Sequence, residues 1–167
     1  HTKALLPVGN KKMIEHVVNM FDPNSCRYHL VINSQQLEDY PNLINYLKKI
    51  ATNIEVVVIK KHDLGPVYSA LQVKGIEDNE ETIVSYCDFI VHWNYPLFLR
   101  KVYGKDGCVV SFKGFHPASF GSTFYAYMKV KDSQMLELRE KKSFTENRIE
   151  EHASTGIYYF KKYSIFN

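Results

Sequence analysis

Three short β-branched and aromatic runs, set between stretches of helical periodicity, decide what the first half of this chain can become. Arg27 to Asn33 (RYHLVIN), Asn53 to Ile59 (NIEVVVI) and Thr82 to Tyr86 (TIVSY) each have the length and composition of a strand. Met13, Ile14, Val17, Val18 and Phe21 recur at helical spacing, so Lys12 to Phe21 reads as an amphipathic helix capped by Asn10. Leu37 to Ile50 reads as a second helix, with Leu43, Ile44, Leu47 and Ile50 on one face, and Pro66 to Val73 begins a third with Pro66 suited to its first turn. Strands and helices alternating over short links imply right-handed crossovers. The first half is therefore expected to form a doubly wound α/β sheet with parallel strands and helices on both faces.

Beyond a short helix from Pro96 to Tyr103, ended by Gly104, the pattern changes. Cys108 to Gly114, Thr123 to Val130, Met135 to Arg139 and Thr155 to Phe160 read as strands with no long helix between them, and Lys131-Asp132-Ser133 reads as a tight turn. The expectation is one domain over residues 1–167 with a mixed, mainly parallel sheet and an antiparallel extension. His1 to Pro7 opens without an initiator Met or a first strand, so the chain reads as a fragment of a longer one.

Bulk properties exclude several classes. A formal net charge of +3, with the lysines scattered, leaves no nucleic-acid footprint. No apolar run approaches the length of a membrane span. Three widely spaced cysteines, Cys26, Cys87 and Cys108, lack metal-ligand spacing and read as reduced thiols of a cytoplasmic protein.

The chemistry-bearing candidates cluster at element ends. Asp88 falls at the C-terminal end of the Thr82 to Tyr86 strand, the edge where open α/β sheets bind ligands. A carboxylate there can anchor a divalent cation carrying phosphates, or simply begin the next turn. Gly65 lets the backbone approach a flat ligand closely, and also suits a plain turn before Pro66. His62 could read a base edge or stand exposed on its loop. Glu140 and Lys141 lie on alternate faces of a strand end, so they can act together only if the chain bends between them. Thr155-Gly156 offers a small surface, and Gly121, Ser122 and Thr123 could border the same pocket.

Several of these residues sit in a recognisable phrase. Lys3-Ala4-Leu5-Leu6-Pro7-Val8-Gly9-Asn10-Lys11-Lys12-Met13-Ile14-Glu15-His16 resembles the K-P-L-L-P-V-x-x-K-P-M-I-E-H segment of the sugar-phosphate nucleotidyltransferases, the NDP-sugar pyrophosphorylases. Leu64 to Leu71 looks like the family's base-contacting glycine loop, Ser85-Tyr86-Cys87-Asp88 like its strand-end metal aspartate, Glu137 to Lys141 like its E-K pair, and Ser154 to Phe160 like its T-G-[LI]-Y-x-[FY] strand. The pieces occur in the family's order over almost the whole chain.

This resemblance implies a Rossmann-like three-layer α/β/α nucleotide-diphospho-sugar transferase fold. It implies transfer of a nucleotidyl group from an NTP to a sugar 1-phosphate, releasing pyrophosphate with Mg²⁺ as cofactor. Lys3 and Asp88 would be catalytic, Asp88 also the metal ligand. Lys11, His62, Gly65 and Cys87 would serve the nucleotide, and Gly121, Glu140, Lys141, Thr155 and Gly156 the phosphorylated substrate. The partners implied are an NTP and a phosphorylated sugar or similar small molecule, with neither nucleic acid nor membrane, and a homo-oligomer stays open. Residues Gly114 to Lys131 further resemble a branch of the family from bacterial surface-polysaccharide clusters.

Departures from the family pattern are specific. The Gly-rich G-x-G-x-R loop would precede His1, the second metal aspartate is not found before Asn167, and the family prolines are Ala4 and Lys12 here. Two other classes therefore stand beside the enzyme. One is a non-catalytic nucleotide or sugar-phosphate-binding module. The other is a glycosyltransferase of related fold, for which Cys87-Asp88-Phe89 is not the expected D-x-D.

Overall fold

The computed structural model describes residues 2–116, 121 and 125–167. After a single 3-10 turn at Lys3–Leu5, strands β1 (Pro7–Val8) and β2 (Lys11–Lys12) form a small antiparallel hairpin around Gly9, whose φ of +61° suits the tight turn. Helix α1 spans Met13–Val18, shorter than the expected Lys12 to Phe21. Its cap is Lys12, not Asn10. The Lys12 backbone N–H donates to Glu15 Oε2 at 2.7 Å, and the hydroxyl of Tyr46, 31 residues on, donates to the same oxygen at 2.8 Å, which ties the helix start to a later segment.

Strands β3 (Tyr28–Asn33) and β4 (Ile54–Ile59) pair in parallel and in register, Tyr28 opposite Ile54 through Asn33 opposite Ile59. The single helix expected over Leu37 to Ile50 is two, α2 (Ser34–Asp39) and α3 (Leu43–Leu47). Pro41 lacks a donor and disfavours helical geometry at Tyr40, so the apolar period runs straight through a break in the backbone. Asn33 caps α2, accepting from the Gln36 N–H at 3.0 Å. Helix α4 (Pro66–Ala70) starts from Gly65, β5 spans Thr82–Ser85, and α5 (Tyr95–Val102) is capped by Asn94.

The remaining strands, β6 (Gly107–Phe112), β7 (Ala126–Lys131), β8 (Gln134–Glu140) and β9 (His152–Phe160), build a five-stranded sheet with β5, and a short helix α6 (Tyr163–Phe166) closes the chain. The expected tight turn is present, with Asp132 and Ser133 at φ +50° and +63° between β7 and β8. Strand β9 is the axis of this sheet. It pairs antiparallel with β6 along one edge and shares the other between β5, through Ile157 to Phe160, and β7, through His152 and Ala153.

That placement corrects the expectation of a mainly parallel sheet. Among the described residues parallel pairing is confined to β3 and β4, and the larger sheet is antiparallel throughout. The reason is tertiary: the late strand β9 enters beside β5 in the opposite direction and takes its hydrogen bonds. The core joins the two sheets through α1 and α3, with Ile14, Val17, Met20, Ile32, Leu43, Leu47 and Ile157 buried together. Strand β5 thus delivers its C-terminal end, and Asp88 just beyond it, to the surface beside β9.

Candidate active site

Asp88 lies in the bend after β5, and Lys3 reaches it from a position 85 residues earlier, its Nζ donating to Asp88 Oδ2 at 2.9 Å. The Lys3 side chain is 74% exposed and that of Asp88 33%, so the pair adds little to stability and both ends stay reachable from solvent. The hydrogen bond to Asp88, and then its charge, push the Lys3 ammonium above its ordinary range, which keeps it cationic at neutral pH. Cys87 is exposed as a residue, yet its thiol is pushed up by local desolvation and then by Asp88, so it stays protonated.

Gly156 sits in the middle of β9 where the strand changes partners from β7 to β5. Its φ of +77° kinks the strand, and its missing Cβ makes room for the Tyr86 ring; a Cβ there would stand 2.4 Å from Tyr86 Cδ2. The Tyr86 backbone N–H donates to the Gly156 carbonyl at 3.1 Å. The Tyr86 phenol is pushed up by desolvation first, then by Tyr158, Glu140 and Asp88. Tyr86, two residues before Asp88, is thus seated on Gly156 by both its ring and its backbone. The residue types at the β5 end did not single it out; a large aromatic two places before a strand-end acid is the signal that could have done so.

Glu140 ends β8, and the bend it needs follows at once. Lys141 adopts φ +53°, and its backbone N–H donates to the Tyr125 carbonyl at 3.0 Å. Thr155 is buried, and its hydroxyl donates to the Val110 carbonyl at 3.0 Å, so it fixes β9 against β6. The Gly121 carbonyl accepts from Arg148 Nη2 at 2.6 Å, while Ser122 and Thr123 lie outside the described residues.

The remaining candidates occupy loops of their own. Lys11 is exposed on the β1–β2 hairpin opposite Val8. His62 accepts from the Leu64 backbone N–H at Nδ1, 3.1 Å, which leaves Nε2–H to donate to Ser69 Oγ at 3.0 Å. The ring therefore staples the loop that presents Gly65. Gly65 itself has φ +89° and open space where a side chain would be, the conformation and clearance a close backbone contact with a ligand requires.

Two hollows of about 370 and 570 Å³ lie elsewhere, one between Leu5 and the α2–α3 connection, the other between β7, Phe144 and Glu151. Lys3, Tyr86, Asp88 and Glu140 line neither of these two hollows. Among the described residues no three His, Cys, Asp or Glu side chains gather to hold a metal ion. Nor, among these residues, is any helix long and apolar enough to cross a membrane.

A lysine–aspartate pair at the end of β5 and a left-handed glycine before α4 thus lie on a mixed α/β protein. The chain belongs to the nucleotidyl transferase family, which it matches over residues 1–166. Its fold is shared, at low sequence identity, with several solved structures. The nucleoside-diphosphate-sugar pyrophosphorylase of Vibrio cholerae RC9 is 13% identical, with 99% of this chain and 68% of that one covered at a TM-score of 0.67. A candidate glucose-1-phosphate thymidylyltransferase of Bacillus anthracis, solved with sucrose, is 17% identical, covered over 98% and 64%, at 0.71. An apo UDP-glucose pyrophosphorylase is 18% identical, covered over 98% and 70%, at 0.64. The chain therefore spans about two thirds of the length of these structures. No curated protein sequence matches it.

Proposed function

We propose that this chain carries the substrate cleft of a sugar-phosphate nucleotidyltransferase, joining an NTP to a sugar 1-phosphate and releasing pyrophosphate. The observation that carries this reading is the Lys3–Asp88 pair at 2.9 Å, within a chain of the nucleotidyl transferase family. A reaction between two polyanions needs positive charge at the phosphates, and a lysine held cationic at the mouth of the cleft supplies it. An oxygen of the acceptor phosphate attacks the α-phosphorus as the bond from that phosphorus to the bridging oxygen breaks, and the pair of electrons leaves with pyrophosphate. The backbone at Gly65, stapled by His62, approaches the base, while Glu140 accepts from substrate hydroxyls.

The donor set fits a hard cation that arrives with a polyphosphate. Mg²⁺ is commonly bound by one or two carboxylates plus phosphate oxygens and water, and Asp88 offers one such carboxylate, partly exposed. When bound, Mg²⁺ would neutralise charge building on the phosphates. Lys3, released from Asp88 in that state, is free to turn its ammonium to a phosphate. The resemblance of residues 114–131 to a surface-polysaccharide branch supports a place in that biosynthesis, with the reaction run in the cytoplasm where NTPs are held.

The test is pyrophosphate release by the full-length protein across the four NTPs with a panel of sugar 1-phosphates. Asp88→Ala is expected to lower the rate by at least about 100-fold. Release that survives this substitution removes Asp88 from the mechanism. Binding of NTP without release marks a binding module instead.

A further inference from the structure

The hollow of about 570 Å³ beside β7 is walled in part by a loop that is tied down from within. Glu151 accepts from the Phe144 N–H at 2.9 Å through Oε2, and from the Thr145 N–H and hydroxyl, both at 2.7 Å, through Oε1. Both its oxygens are engaged, so its charge is taken up by the loop. The Gly114 N–H donates to the Ile149 carbonyl at 2.7 Å and holds the same loop against the end of β6. Phe144 is thereby a fixed platform. The Arg139 guanidinium carbon lies 4.1 Å from its ring centre, and Arg139 Nε donates to Glu137 Oε1 at 2.8 Å. Ring and carboxylate hold the guanidinium in place, and among the described residues its two Nη atoms have no protein partner. Lys113, just past β6, and Lys129, on β7, line the same hollow; both are exposed, and neither is paired among the described residues. His152 Nδ1 is hydrogen-bonded to Ser111 Oγ at 3.0 Å, which leaves Nε2 as a further polar atom. With Glu151 engaged, Glu150 is the one acid of the lining that remains against Lys113, Lys129 and Arg139.

We propose that this hollow is a second binding site, apart from the Lys3–Asp88 pair, for a small molecule bearing a diphosphate: the Arg139 fork, held on Phe144, takes one phosphate, and Lys113 and Lys129 balance the charge of the other. A planar guanidinium matches two phosphate oxygens at once, and a fork already held by a ring and a carboxylate loses little freedom on binding. The volume falls in the range of small-molecule sites, and Met128 and Val130 give the part of the ligand beyond its phosphates an apolar wall. Neither Lys3, Asp88 nor Glu140, the neighbour of Arg139 in β8, lines this hollow, so the site stands whether or not the chain transfers a nucleotidyl group.

The experiment titrates inorganic pyrophosphate, and separately UDP, into the full-length protein by calorimetry without divalent cations. Every protein titrated carries Lys3→Ala, which removes the cation beside Asp88 and leaves the hollow untouched. Binding is expected to persist in this background, to weaken as salt rises, and to weaken about 10-fold on adding either Lys129→Gln or Arg139→Gln. Lys129 is exposed and Arg139 lies on the edge strand β8, so both variants keep the fold. Arg139→Lys keeps the charge but not the fork, and is expected to bind about threefold more weakly than the protein with Arg139 intact. Tighter binding of UDP than of pyrophosphate supports a nucleotide seated on the apolar wall, and equal binding supports recognition through the diphosphate alone. The site is overturned by the absence of binding to Lys3→Ala at millimolar pyrophosphate or UDP. It is equally overturned by binding that Lys129→Gln and Arg139→Gln both leave within about twofold, or that salt does not change.

Discussion

Replacing Gly156 by alanine tests the geometry at the junction of β5, β7 and β9 more directly than any change to a charged residue. The substitution carries two separable costs. An L side chain at φ +77° enters the left-handed region, at about 1–2 kcal/mol. The new methyl would stand 2.4, 2.9 and 3.0 Å from Tyr86 Cδ2, Cγ and Cε2. The nearest of these is about 1 Å inside ordinary carbon contact. Overpacking of this kind costs about 1–3 kcal/mol, toward the lower end here because Tyr86 is 42% exposed and its ring can move outward. The sum is about 2–4 kcal/mol, readable in urea as a midpoint about 1–2 M lower with an unchanged slope. Tyr86→Ala removes all three clashing atoms but leaves the backbone angle untouched. In that background Gly156→Ala should cost only about 1–2 kcal/mol, a coupling of about 1–2 kcal/mol between the two positions. Equal costs in the two backgrounds would falsify the packing account, and a cost below about 0.5 kcal/mol in wild type would remove the strain account as well.

Two further changes follow from groups whose partners are fixed. Glu15 is held below the ordinary carboxylate range by the Lys12 backbone N–H first and the Tyr46 hydroxyl second, so its contribution is present above the unfolded value near 4.5 and is lost as pH falls below it. Glu15→Gln is expected to cost about 1 kcal/mol at pH 7, and thermal unfolding should show the difference from wild type shrinking below pH 4.5. His62→Ala frees the loop before Gly65 by removing bonds to Leu64 and Ser69, so it should raise the NTP KM about 10-fold while leaving the acceptor KM unchanged. A rise in the acceptor KM instead would place this loop on the substrate side.

The local elements were largely legible because their causes are local. The β-branched runs at Tyr28–Asn33, Ile54–Ile59 and Thr82–Ser85 form strands where composition puts them, and the left-handed pair Asp132 and Ser133 turns the β7–β8 hairpin. The need for a bend between Glu140 and Lys141 was also readable, since alternate residues of a strand face opposite ways, and Lys141 supplies it. Helix lengths were less so: the apolar period from Leu37 to Ile50 carried through Pro41 although the backbone could not.

Sequence alone, then, determined where the strands lie, that Asp88 ends one of them, and that the order of motifs is that of a nucleotidyl transferase. Only the tertiary structure decided that β9 runs antiparallel beside β5, that Lys3 closes on Asp88 across 85 positions, and that Tyr86 rests on Gly156. Strand formation depends on side chains a few residues apart, which a sequence displays. Pairing partners and strand direction depend on which buried edges meet, and those are contacts between segments whose spacing along the chain says nothing about their distance in space.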